Sequence, residues 1–161
     1  MSVDTSPSDR DRFGEIMRLR ASGHVRRWHT RPTLLGQDVA AHCAQALTLL
    51  LLLHPDPRMD LIRAVLWHDS GERVCGDAPS PGLERFKNLR IVLKQAELDV
   101  ARDDHPTYHA AHENLSLIDR QWLRAVDLLE LIVYCGDELL VGNQHFRVVL
   151  DRAVAWFRLE A

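Results

Sequence analysis

Apolar residues recur every three to four positions through nearly the whole chain, and no run of β-branched residues alternates with polar ones. That period marks helices with one buried face, so it excludes a sheet-based fold and predicts an all-α bundle of about five to seven helices. Phe13, Ile16 and Met17, with Arg20 beside them, lie on one face of a first helix ending near Gly23, placed as a C′ residue. A basic loop follows, and Asp38 is set to cap a second helix to about His54, where Pro55 and Pro57 stop it. Asp60 is set to cap a third, LIRAVLWHDSGER. The stretch CGDAPSPG holds too much Gly and Pro for helix, and Ser80-Pro81 reads as the N-cap and first residue of a fourth helix. That helix runs to about Arg102, with Leu89, Val92, Leu93 and Ala96 at helical spacing. A polar connection over residues 103–116 leads to a long helix from about Asp119 to Val141, closed by Gly142. A last helix carries Phe146, Val149, Leu150, Ala153, Val154 and Phe157 on one face.

At 161 residues the expectation is one domain over 1–161, with 1–8 a flexible polar N-terminus. The 46% apolar content can fill a core, which excludes a disordered tail. Twenty basic against twenty-three acidic residues give no basic stripe, so a nucleic-acid polymer is not the expected partner. Cys43, Cys75 and Cys135 are odd in number and widely spread, which points to a reducing compartment. The N-terminal residues lack the apolar region of a signal peptide. The longest apolar run, Leu47–Leu53 with Thr48 inside it, falls short of the roughly 20 residues a bilayer needs. A cytoplasmic protein without a membrane partner is the expectation.

Nine histidines are many for this length and direct attention to metal. His68-Asp69 ends an otherwise apolar helix, His42 interrupts the helix before it, and Asp127 interrupts WLRAVDLLELIVY. Burying such groups without partners is costly, and a shared divalent cation would offset the cost. Each alone also fits a quieter role, His42 as a hydrogen-bonded core imidazole and Asp127 on a solvated stripe. Glu72 follows Asp69 by three and His68 by four, so a continuing helix puts it on their face.

The order His, His-Asp, Asp on successive helices, with the blocks VRRWHTRPTLLGQDVAAHC, HDSGE, GDAPSP and DLLELIVYCGDELLVGN, resembles the HD-domain superfamily of metal-dependent phosphohydrolases. The blocks look most like the YfbR-type 5′-deoxynucleotidases and related small deoxynucleotide phosphohydrolases, some from phages, over roughly residues 13–150. The resemblance implies a helical HD domain with His42, His68, Asp69 and Asp127 as metal ligands. That mixed N/O set suits Mn²⁺, Fe²⁺, Co²⁺, Ni²⁺ or Zn²⁺, with Mg²⁺ as a further candidate. It also implies that Glu72 orients or deprotonates the attacking water and that Arg27 grips the phosphate. Trp28 would wall the sugar and favour deoxyribose, and Asp77 would accept from a sugar hydroxyl. Trp28 serves equally well as a core anchor, Asp77 as a plain turn residue, and Glu72 as a surface carboxylate; Arg26 reads as solvated. Relatives assemble as homodimers or larger rings, and Trp156 is a candidate for such a contact.

The implied activity is release of phosphate from deoxynucleoside 5′-monophosphates. The chain is shorter than the usual family member, which leaves a deoxynucleoside triphosphate phosphohydrolase (acting on dATP, for example) as the alternative. A non-catalytic nucleotide or metal sensor is a further one; a cyclic-nucleotide phosphodiesterase has no motif such as HD-GYP behind it. Gly71 stands where the family usually has a larger small-polar residue, which predicts a looser Glu72. His105, His109 and His112 are spaced for a second metal site, or are simply solvated.

Overall fold

The computed structural model describes residues 9–78, 83 and 85–160. Its helices are α1 (Asp9–Ser22), α2 (Val39–Leu53), α3 (Met59–Trp67), α4 (Glu72–Cys75), α5 (Lys87–Asp104), α6 (Pro106–Glu113), α7 (Leu117–Leu140) and α8 (Arg147–Glu160), with a 3₁₀ turn at Gln144–Phe146. Among the described residues the one extended pairing is an isolated bridge between Arg26 and Asp38. The fold is therefore all-α, as the apolar period requires.

One core joins α2, α3, α6 and α7 around Ala46, Leu50, Leu61, Val65, Tyr108 and Val126. A smaller cluster of Tyr134, Cys135 and Phe146 takes the Trp28 ring against it. The Asp38 carboxylate accepts from the Ala41 N–H at 2.8 Å and caps α2, as its position predicts. Helix α7 closes on Gly142 at φ 99°, with the Asn143 N–H donating to the Glu138 carbonyl and the Gly142 N–H to the Leu139 carbonyl. These are the two bonds of a Schellman end.

Several expectations need correction. Phe13 (64% exposed), Ile16 and Met17 face outward, because α1 meets the rest of the protein through its polar stripe. Glu15 accepts from Thr107, Arg18 donates to the Asp104 carbonyl, and Ser22 is buried. Gly23 is no left-handed cap; a Cβ there would lie 2.9 Å from the Ala40 Cβ, so it permits close approach to α2. Arg58, not Asp60, occupies the N-cap of α3, and Asp60 sits in the first turn, where a carboxylate favours the helix dipole. Helix α3 stops at Trp67, and a turn separates it from α4. The supposed connection at 103–116 contains α6, opened by Pro106 and anchored by buried Tyr108 and Ala111. Helix α7 starts at Leu117 rather than Asp119, because Ser116 and Asp119 form a reciprocal capping box. Leu89 and Val92 lie in α5 at the helical spacing expected of them, and both are exposed. The Ser80-Pro81 cap and residues 1–8 lie outside the described residues. No described helix is long and apolar enough to cross a membrane.

Candidate metal centre

Three elements bring four side chains together. On α2 the buried positions are Val39, His42, Cys43, Ala46 and Leu50, a helical stripe that carries His42 into the interior. His68 and Asp69 follow the end of α3, and Asp127 comes from α7, which packs on both α2 and α3. His42 Nε2 and His68 Nε2 lie 3.1 Å apart. His42, His68 and Asp69 each offer a donor atom within 4.8 Å of the others. Asp127 Oδ1 lies 3.4 Å from His42 Nε2 and 3.8 Å from His68 Nε2.

The remaining ring nitrogens decide what this arrangement can hold. His68 Nδ1 is 2.8 Å from the Val65 carbonyl, which can only accept, so Nδ1 carries the hydrogen. His42 Nδ1 donates to the buried Glu130 carboxylate. In the neutral rings both Nε2 lone pairs then face one another, with Asp69 and Asp127 carboxylates around them. Such a cluster of acceptors repels itself unless a cation sits among them, and its N/O donors fit a divalent transition metal. A proton meets the same demand. Burial alone would push both imidazoles down. Asp127 and Glu130 outweigh burial at His42, which rises to about 9, and Asp69 leads the groups that take His68 up to about 10. Burial would raise Asp69 and Asp127, but His68 and Arg27 lower the first and His42 and His68 lower the second.

The other predicted residues stand around this cluster. Arg27 Nη1 lies 2.6 Å from Asp69 Oδ2, so the guanidinium pairs with a candidate ligand, and its buried Nε has no hydrogen-bond partner. Glu72 does not share a continuous helix with His68; it opens α4 after the turn. It is nonetheless buried, with Oε2 lacking a hydrogen-bond partner, and burial followed by the Asp69 charge pushes its carboxyl up to about 9. Gly71 tightens this region instead of loosening it: a Cβ there would stand 2.9 Å from the Glu97 Cα, so the glycine lets α5 press on the turn before Glu72.

The Trp28 ring stacks on Tyr134 at 5.7 Å and meets Phe146 edge-on at 5.2 Å, while its backbone N–H donates to Asp77 Oδ2 at 3.1 Å. Core packing and a position beside Arg27 are thus both true of it. His105 is buried with neither ring nitrogen hydrogen-bonded, and burial lowers both His105 and His112. Residues 105, 109 and 112 do not form a three-donor group. Trp156 is half-buried.

Sequence reasoning missed Glu130, Gln37 and Glu138. Glu130 was findable, since it follows Asp127 by three and shares its side of an apolar helix. Gln37 and Glu138 carry no such mark, because the bonds that tie them across the fold reach Glu130 and Leu34, 93 and 104 residues away.

No family model and no curated protein matches the sequence. Solved structures are. A protein from Pyrococcus horikoshii OT3 has a TM-score of 0.73 at 18% identity, covering 91% of this chain and 88% of the other. A conserved hypothetical protein from Pyrococcus furiosus has a TM-score of 0.71 at 18% identity, over 89% and 94%. The cyanophage S-2L HD phosphohydrolase DatZ, bound to dA and one catalytic Zn²⁺, has a TM-score of 0.67 at 20% identity, over 94% and 83%. This chain shares their fold.

Proposed function

We propose that the protein is a metal-dependent phosphohydrolase that releases phosphate from deoxynucleoside 5′-monophosphates, with His42, His68, Asp69 and Asp127 as the ligands of one divalent cation. The observation that carries the reading is the 3.1 Å approach of two imidazole Nε2 atoms whose Nδ1 atoms are both committed elsewhere. A fold shared with a phage phosphohydrolase holding dA and zinc supports it. When bound, the cation supplies Lewis acidity toward a phosphoryl oxygen and lowers the pKa of water it holds.

The chain's own groups supply the rest. Arg27 sits with one nitrogen on Asp69 and its buried Nε–H unclaimed, so the planar fork bridges a candidate ligand and an incoming phosphate oxygen. Glu72 presents an unpartnered carboxylate oxygen beside the cluster and takes a proton from the attacking water. A cation held beside Asp69 would offset the burial and the Asp69 repulsion that raise the Glu72 carboxyl, which would leave Glu72 ionised for that task. Trp28 and Asp77, joined by a hydrogen bond, form the sugar side.

The test is a phosphate-release screen of deoxy- and ribonucleoside mono-, di- and triphosphates with Mn²⁺, Co²⁺, Zn²⁺ and Mg²⁺. The proposal expects turnover of deoxynucleoside monophosphates in at least one metal. Turnover confined to triphosphates replaces the substrate; nucleotide binding without any release makes the protein a sensor.

A further inference from the structure

We infer that Gln37 and Glu130 are positioning residues that couple the indole of Trp28 to the imidazole of His42. The inference deepens the reading above, since it takes His42 as a metal ligand. The Trp28 Nε1–H donates to Gln37 Oε1 at 3.2 Å, the Gln37 Nε2–H donates to Glu130 Oε1 at 2.7 Å, and Glu130 Oε2 accepts from His42 Nδ1–H. An indole N–H can only donate and an ionised carboxylate can only accept, so both ends dictate which way the Gln37 amide points. Gln37 is 5% exposed and Glu130 2%, which leaves little room for water to substitute for either bond.

Each end of this chain is constrained independently. Trp28 holds a left-handed backbone at φ 61°, a conformation that costs a bulky residue energy and persists only where surrounding contacts impose it. Here the Asp77 carboxylate holds its N–H, Tyr134 and Phe146 hold its ring, and Gln37 holds its indole edge. At the other end Glu130 fixes the tautomer and bearing of His42, leaving Nε2 toward His68 and Asp127. Gln37 also pairs by backbone with Arg27, whose N–H donates to the Gln37 carbonyl at 3.1 Å. A change in the indole therefore reaches the candidate ligand through two buried side chains, without touching it.

The experiment measures zinc affinity of the purified chain by competition with a chromophoric chelator, alongside Tm. Glu130→Gln is expected to weaken zinc binding about 10–100-fold. Gln37→Leu and Trp28→Phe are each expected to weaken it several-fold, and Trp28→Phe to add nothing in the Gln37→Leu background. That non-additivity is the readout a merely structural role would not produce. Should Gln37→Leu fail to fold, Trp28→Phe in the Glu130→Gln background reads the same coupling. Wild-type protein that binds zinc, with Tm lowered but affinity unchanged in all the variants, overturns the inference alone. Wild-type protein that binds no zinc overturns the metal reading and the inference with it.

Discussion

Two pairs of inward-facing histidines occur in this molecule, and they differ in what surrounds them. His42 is fully buried and His68 nearly so, but each has a partner on Nδ1 and carboxylates on Nε2, and both rise above the ordinary imidazole range. His105 is equally buried, at the start of α6, and has no hydrogen bond on either nitrogen; His112 lacks one on Nδ1, and both fall below that range. Burial is common to the two regions. The acidic side chains from α7 and the turn after α3 make the difference, because they place carboxylates against a desolvated ring in a group that could hold a metal ion.

Removing an acidic member of the first region should have the largest effect. Asp127→Ala is expected to abolish stoichiometric zinc binding and take phosphate release to background, read by metal analysis of the purified protein and by turnover. Glu72→Gln should separate chemistry from binding: metal content unchanged, with turnover down by about 10²–10⁴-fold. A Glu72→Gln enzyme at full turnover would remove that residue from the reaction.

Glu138 sharpens the contrast from a third position, as a buried carboxylate with every need met. It accepts from the Leu34 and Leu35 N–H groups, Asn143 Nδ2 and the Tyr134 hydroxyl. Burial raises its carboxyl, but these donors outweigh it and hold the group below the usual range. Its contribution to stability is therefore complete above the unfolded value of about 4.3 and is lost as pH falls through the lower folded one. Glu138→Ala should cost about 2–4 kcal/mol at pH 7 by chemical denaturation, from several orphaned donors to a charged acceptor.

The smallest effect is expected at His105. A lowered imidazole means the unfolded chain binds more protons, so stability falls as pH drops below about 6.5. His105→Leu should leave zinc content unchanged, keep or raise stability by up to about 1 kcal/mol, and flatten that acid-side loss. A drop in zinc content would join the two regions and break the comparison.

The helical period was enough to read the architecture, and three interrupted apolar helices were enough to bring His42, His68, Asp69 and Asp127 under one hypothesis. What the period could not show was which face meets protein. Helix α1 looked amphipathic through Phe13, Ile16 and Met17, yet it docks through Glu15, Arg18 and Ser22, because side-chain hydrogen bonds and ion pairs carry no periodic apolar signal. Nor could local spacing foresee the break before Glu72, or the close approach of Glu97, from a helix some 26 residues onward, to Gly71 in that turn. The chain from Trp28 through Gln37 to Glu130 was invisible for the same reason, being assembled from distant segments by tertiary packing.

A zinc-loaded crystal examined by anomalous scattering at the zinc edge puts the whole account to one measurement. One peak is predicted, about 2.0–2.2 Å from the Nε2 atoms of His42 and His68 and from carboxylate oxygens of Asp69 and Asp127. No peak between α2, α3 and α7, or a peak seated at His105, His109 and His112 instead, would contradict it.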